Sequence, residues 1–288
     1  MAKSVVFLRD RFVDEEEAVV PLVDRGYLLG DSVFATLRAL GGRVFQARLH
    51  VERLRAASAS LGIAWPLEHE DVVDLAHEAT SRLGALDATL RITLSRGVGS
   101  TPGIGTLGPF APTFSILARP TVLYPAEAYT SGLDTALVTA PRIPAACLPS
   151  AFKTGNYLPN ILARRELEEK GYIEGIQRAW SGELASGTVS NLFLVRGREL
   201  LTPHLASECR PGVTREVLLG LSRRSGLTPL ERALGVEDLA SADEVFFAST
   251  LMECLPVRRI EAIAEYGSFS RTAQLRSALG EAMGSRLE

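Results

Sequence analysis

Lysine is scarce in this chain of 288 residues: Lys3, Lys153 and Lys170 are the only three among 31 lysines and arginines. Where a surface needs only positive charge, arginine supplies it, so a lysine kept in an apolar setting is informative. Lys3 lies at the terminus and Lys170 in the charged run RRELEEKG, whereas Lys153 sits in LPSAFKTGNYLP with no other charge nearby. Cysteine is scarce too. Cys147, Cys209 and Cys254 are odd in number and form no C-x-x-C pair, which excludes a disulfide framework and a zinc knuckle and fits a reducing cytoplasm. No metal site is expected. Long apolar runs are missing: MAKSVVFLRDRFVDEEE meets a charge every few residues, which argues against a signal or membrane segment. A net charge of -3 without any basic cluster argues against a nucleic-acid partner.

What is present suits two modest domains with a sizeable core, since 46% of the residues are hydrophobic. VVFLRDRFV reads as a strand and turn, and FATLRAL and RVF flank a Gly41-Gly42 hairpin turn. Helical spacing of apolar residues predicts helices from Ala47 to about Leu61 and from about Glu68 to Leu83, the second closed by Gly84. TLRITLSRG and TFSILARP read as strands separated by a long surface loop, GVGSTPGIGTLGPFAP. In the second half, strands are predicted at Asp134–Ala140, Gly175–Trp180, Val189–Val195 and Glu244–Phe247, with helices at Asn156–Lys170, from Gly212 and at the C-terminus. Helices and antiparallel-type strands mix without regular alternation, which indicates an α+β fold. The expected division is residues 1–119, a linker at 120–126, and a C-terminal domain, 127–288, carrying Lys153.

Three features bear on chemistry. An apolar setting disfavours the charged form of a lysine and frees its amine to attack a carbonyl, and Lys153 has that setting; a lysine reaching outward from a loop would look the same. RPGVTREVLLGL brings Gly212 and the Thr214 hydroxyl to a helix N-terminus, where phosphate binds readily, and FFASTLMEC brings Ser249 and Thr250 just after a strand. Ordinary helix caps share these residues.

Taken in order, DRGYLLGDSVFATLR, HVERL, FKTGNYLPN, GTVSNLFLV, CRPGVTR and STLMECLPV resemble the class IV, or fold type IV, pyridoxal-phosphate enzymes. That family includes branched-chain and D-amino-acid aminotransferases, R-selective amine transaminases and aminodeoxychorismate lyase. The resemblance spans about Asp24 to Val257. It implies a small N-terminal α/β sandwich, a larger barrel-like C-terminal α/β domain, pyridoxal 5′-phosphate as cofactor, and a homodimer. It implies further that Lys153 forms the Schiff base and moves a proton, and that Arg53 grips the phosphate. Val213, Thr214 and Thr250 would complete the phosphate site with Leu251 beside them, and Tyr157 would lie near the cofactor's 3-hydroxyl. Asn191 and Phe193 fall in the strand beside the ring, with a structural or a chemical role.

Two positions depart from the family pattern. Ser186 stands where the family carries a glutamate that keeps the pyridine nitrogen protonated, and a hydroxyl cannot hold that proton as a carboxylate does. Glu183, at an odd offset along a strand, points to the opposite face. Arg210 replaces a leucine that packs on the ring; it can stack there, pair with a carboxylate, or point to solvent. Arg38, Arg96 and Arg210 are the candidates for a substrate carboxylate. The leading expectation is an aminotransferase working between an amino acid or amine and a 2-oxo acid. The alternatives are an aminodeoxychorismate lyase, for which Ser186 is the best support, and a weakly catalytic cofactor-binding protein.

Overall fold

The computed structural model describes residues 4–100 and 103–284. Lys3 lies outside the described residues. In chain order the elements of the first half are β1 (Val5–Leu8), β2 (Arg11–Val13), α1 (Arg25–Leu29), β3 (Ser32–Leu40), β4 (Arg43–Val44), α2 (Ala47–Ser60), α3 (His69–Leu83), β5 (Asp87–Gly99) and β6 (Phe110–Pro120). Those of the second are α4 (Ala126–Ser131), β7 (Leu133–Thr135), α5 (Leu158–Glu168), β8 (Ile176–Arg178), β9 (Leu184–Gly187), β10 (Asn191–Arg196), β11 (Glu199–Pro203), α6 (Val213–Ser222), β12 (Thr228–Arg232), α7 (Val236–Ala240), β13 (Glu244–Ser249), β14 (Glu253–Ile260), β15 (Ala264–Glu265) and α8 (Ser270–Met283). The fold is α+β.

The chain divides into two compact units. One runs to Val122 and takes back Phe152–Asn156; the other comprises Leu123–Ala151 and the chain from Tyr157 onward. Lys153 was expected in the second domain, but its segment packs with the first unit. The reason is backbone pairing: the Phe34 amide donates to the Lys153 carbonyl at 2.9 Å, the Gly155 amide donates to the Ser32 carbonyl at 2.8 Å, and Thr154 bridges Val33.

In the first unit a six-stranded sheet has the order β2-β1-β6-β5-β3-β4. Its inner face follows from alternation: Ala88, Leu90, Ile92 and Leu94 of β5 point inward, and Phe114, Ile116 and Ala118 of β6 meet them. Helix α3 presents Val72, Val73, Ala76, Ala79 and Leu83 to this core on one stripe, and Gly84 closes it in the left-handed conformation. The expected loop after SRG is shorter than its sequence suggests. Both strands continue into it, so that Val98 pairs with Ala111 and Gly99 with Phe110 beyond a register shift.

In the second unit β12-β11-β10-β13-β14-β15 form a sheet with β7 beside β14, and β8 and β9 form a separate pair. Leu192, Leu194, Val245, Phe247, Leu255 and Val257 make its core. Here the strand predicted at Asp134–Ala140 is met only by β7 at Leu133–Thr135, and β9, β11, β12, β14 and β15 are additions to the predicted set.

Candidate active site

Helix α2 carries His50 and Arg53 three residues apart, hence on one face. His50 is buried, and its imidazole is pushed down to about 3, by burial first and then by the charges of Lys153 and Arg53. The fold therefore brings the candidate lysine and the candidate phosphate-gripping arginine around one neutral histidine. Lys153 Nζ lies 5.5 Å from the centre of the Phe34 ring. The approach is held by tight turns: Gly30 adopts a φ of 66°, and a Cβ there would meet Asn156 Oδ1 at 2.8 Å.

The second unit gathers another set. Ser186, on β9, is fully buried; its hydroxyl donates to the Gly187 carbonyl at 2.8 Å and accepts from Arg142 Nη1 at 2.7 Å. Arg142 is pushed down to about 10, by burial first and then by the positive charge of Arg210. Arg210 stands over the Tyr157 ring at 6.0 Å. The Asn191 amide donates to the Arg210 carbonyl at 2.8 Å and to Cys209 Sγ at 3.3 Å, which fixes the turn entering α6, and Phe193 stacks on Phe246 at 5.0 Å within the core. Both contacts are structural. Helix α6 opens at Gly212, which has no side chain of its own to cap the first turn, Val213 and Thr214. Thr250 and Leu251 lie in the turn between β13 and β14, where the Met252 amide donates to Ser249 Oγ at 3.2 Å.

Residues 32–260 match the family of class IV amino-transferases. The chain belongs to that family. A Methanocaldococcus jannaschii protein assigned as a branched-chain-amino-acid aminotransferase is 33% identical over 256 residues, covering 89% of this chain and 88% of that one. The aminodeoxychorismate lyase of Bacillus subtilis is 28% identical over 275 residues, covering 93% and 90%. Among solved structures, the branched-chain amino acid aminotransferase of Escherichia coli superposes with a TM-score of 0.92 at 26% identity, covering 100% of this chain and 97% of that one. The protein is thus an enzyme, a pyridoxal-phosphate-dependent class IV aminotransferase.

In this aminotransferase two of the three arginines considered for a substrate carboxylate are held by structural partners. Arg38 is buried, donating to both oxygens of Asp87 from Nε at 3.0 Å and Nη2 at 2.7 Å. Arg96 pairs with Asp31 at 2.7 Å and donates to the carbonyls of Leu61 and Gly62 at 2.8 and 2.7 Å. Burial alone would raise the Asp31 carboxyl, but hydrogen bonds from Arg96 and Arg25 outweigh it and hold the group below the usual range. The DRGYLLGD motif is therefore a scaffold: Asp24 accepts from the Gly26 amide, Ser95 and Thr113, while Asp31 ties Arg25 to Arg96. Among the described residues, Arg210 is the candidate that no carboxylate holds, and its Nη1 is enclosed without a hydrogen-bond partner. Sequence reasoning missed Arg142 and His50. His50 had a signal, its place one turn before Arg53 in HVERL; Arg142, in TAPRIPAAC, had none.

Proposed function

We propose that Lys153 is the residue that carries pyridoxal phosphate in this aminotransferase, and that the enzyme moves an amino group between an amino acid and a 2-oxo acid. The observation that carries the reading is the packing of Lys153 against β3, with Arg53 and a neutral His50 close by. The donor set suits the cofactor. The first unit offers a primary amine for its aldehyde and the Arg53 cation for its phosphate; the second offers the amides that open α6 and the hydroxyls of Thr214 and Thr250. When bound, the cofactor would supply a conjugated ring that draws electrons from the substrate carbon and stores the amino group between the two half-reactions.

The protein's own part is binding and proton transfer. Lys153 Nζ takes the α-proton and returns it. His50 stays neutral at physiological pH, so that it adds no positive charge of its own beside the Lys153 amine and Arg53. Tyr157 would lie near the ring's 3-hydroxyl and Ser186 would face its nitrogen, while Arg210 would take the substrate's carboxylate or stack on the ring.

The test is an absorbance scan of purified protein with a panel of D- and L-amino acids, then with pyruvate or 2-oxoglutarate. A visible band that bleaches with one amino acid and returns with the oxo acid is the expected result. Lys153→Ala should lose the band; a normal band in that variant would assign the linkage elsewhere. One observation, Ser186 without an acid beside it, favours a second reading, pyruvate elimination from aminodeoxychorismate. That reading predicts 4-aminobenzoate release with no response to amino acids. Free cysteines at 147, 209 and 254, two of them buried, support a reducing, cytoplasmic setting.

A further inference from the structure

Ser186 has one proton to give, and Gly187 already receives it at 2.8 Å. The other bond of its oxygen comes from Arg142 Nη1 at 2.7 Å, which also reaches Gln177 Oε1 at 3.4 Å. Arg142 Nε and Arg210 Nη1 are enclosed and have no hydrogen-bond partner among the described residues. Nearby acids are engaged elsewhere. Glu174 accepts from the amides of Gly175 and Thr188 and pairs with Arg164; Glu183 accepts from the Ser207 hydroxyl; Glu208 accepts from the Trp180 amide. Among the described residues no carboxylate hydrogen-bonds Ser186, Arg142 or Arg210.

We infer that Arg142, Ser186 and Arg210 form a wall of donors and positive charge that takes the cofactor's ring nitrogen as an unprotonated acceptor. The inference rests on the reading above, in which Ser186 faces that nitrogen. Two physical terms carry it. A protonated nitrogen beside two guanidinium groups is a like-charge contact in a place water does not screen, which disfavours the charged form. Its N–H would also find no carboxylate to accept it, whereas a bare lone pair satisfies an enclosed donor that is otherwise left without a partner.

The experiment loads the wild-type enzyme with cofactor labelled with nitrogen-15 at the ring and records its nitrogen resonance at acidic, neutral and alkaline pH. Free labelled cofactor, fully protonated and fully deprotonated, gives the two reference positions. The expected wild-type resonance lies at the unprotonated reference and stays there as the pH is lowered within the stable range. Ser186→Glu should move it toward the protonated reference. A wild-type resonance at the protonated position would overturn the inference, whatever the variant does. A visible band retained in Lys153→Ala would instead overturn the reading of Lys153, so the two failures are distinguishable.

Discussion

His50 and Arg38 show how charge is managed one side chain at a time. In the unfolded chain a histidine titrates near 6.5, about the model-peptide value, whereas the buried His50 does so at about 3. Between those values the unfolded state binds the proton and the folded state does not, so folding stability falls as the pH drops through that window, by at most about 1.4 kcal/mol per pH unit. Above the upper value the contribution is fully present. A His50→Gln variant should show a shallower fall, measured as the difference in urea unfolding free energy between neutral and mildly acidic buffer; equal slopes would count against the burial. Arg38 gives a different expectation, because it is tied to Asp87 rather than offered to substrate. Arg38→Ala should destabilise by about 2 kcal/mol, below the usual cost of breaking a buried pair because Asp87 can be rehydrated, with the KM for the amino donor unchanged. A raised KM at normal stability would return Arg38 to the substrate site. Lys153 was legible at this scale because lysine is rare and its neighbours are apolar. Arg142 was not, because its meaning comes from Ser186, which lies 44 positions on and is brought to it by the fold.

Elements were legible where one face is buried and the other wet. Helices α2 and α3 and strand β5 carry a clear period and were placed to within a residue or two. Strands β9 and β11 were missed because nearly every residue in them is buried, so no alternation marks them. The N-terminus of α6 lay between these cases: CRPGVTR announced a helix start, but the reason for Gly212 appears only in the packing. A Cβ there would collide with Asn191 Oδ1, and Asn191 holds the preceding turn through the Arg210 carbonyl. Gly212→Ala should therefore push this turn aside. We expect a stability loss of about 1–3 kcal/mol by overpacking, with a lower affinity of the apoprotein for pyridoxal phosphate. Affinity unchanged to within twofold, by titration of the visible band, would mean that the first turn of α6 does not hold the phosphate.

Over the whole molecule, the family resemblance was legible because six motifs keep their order, whereas assembly leaves little trace in a sequence. A clue lies in the first unit, where Val19, Leu22, Val23, Tyr27 and Leu28 are exposed by 69, 72, 60, 70 and 57%, along ten residues that lead into the DRGYLLGD scaffold. A soluble monomer seldom leaves so much apolar surface together. The homodimer expected from the resemblance would cover it, and the motif's neighbouring positions would then couple assembly to the site. The double change Leu22→Asp with Leu28→Asp puts two charges into such an interface and touches no core residue. Sedimentation should show a dimer for the wild type and a monomer for the variant, with the amino-acid response of the visible band lost in parallel. A variant that remains dimeric would place the interface on another face, and a monomeric variant with full activity would show that each chain completes its own site.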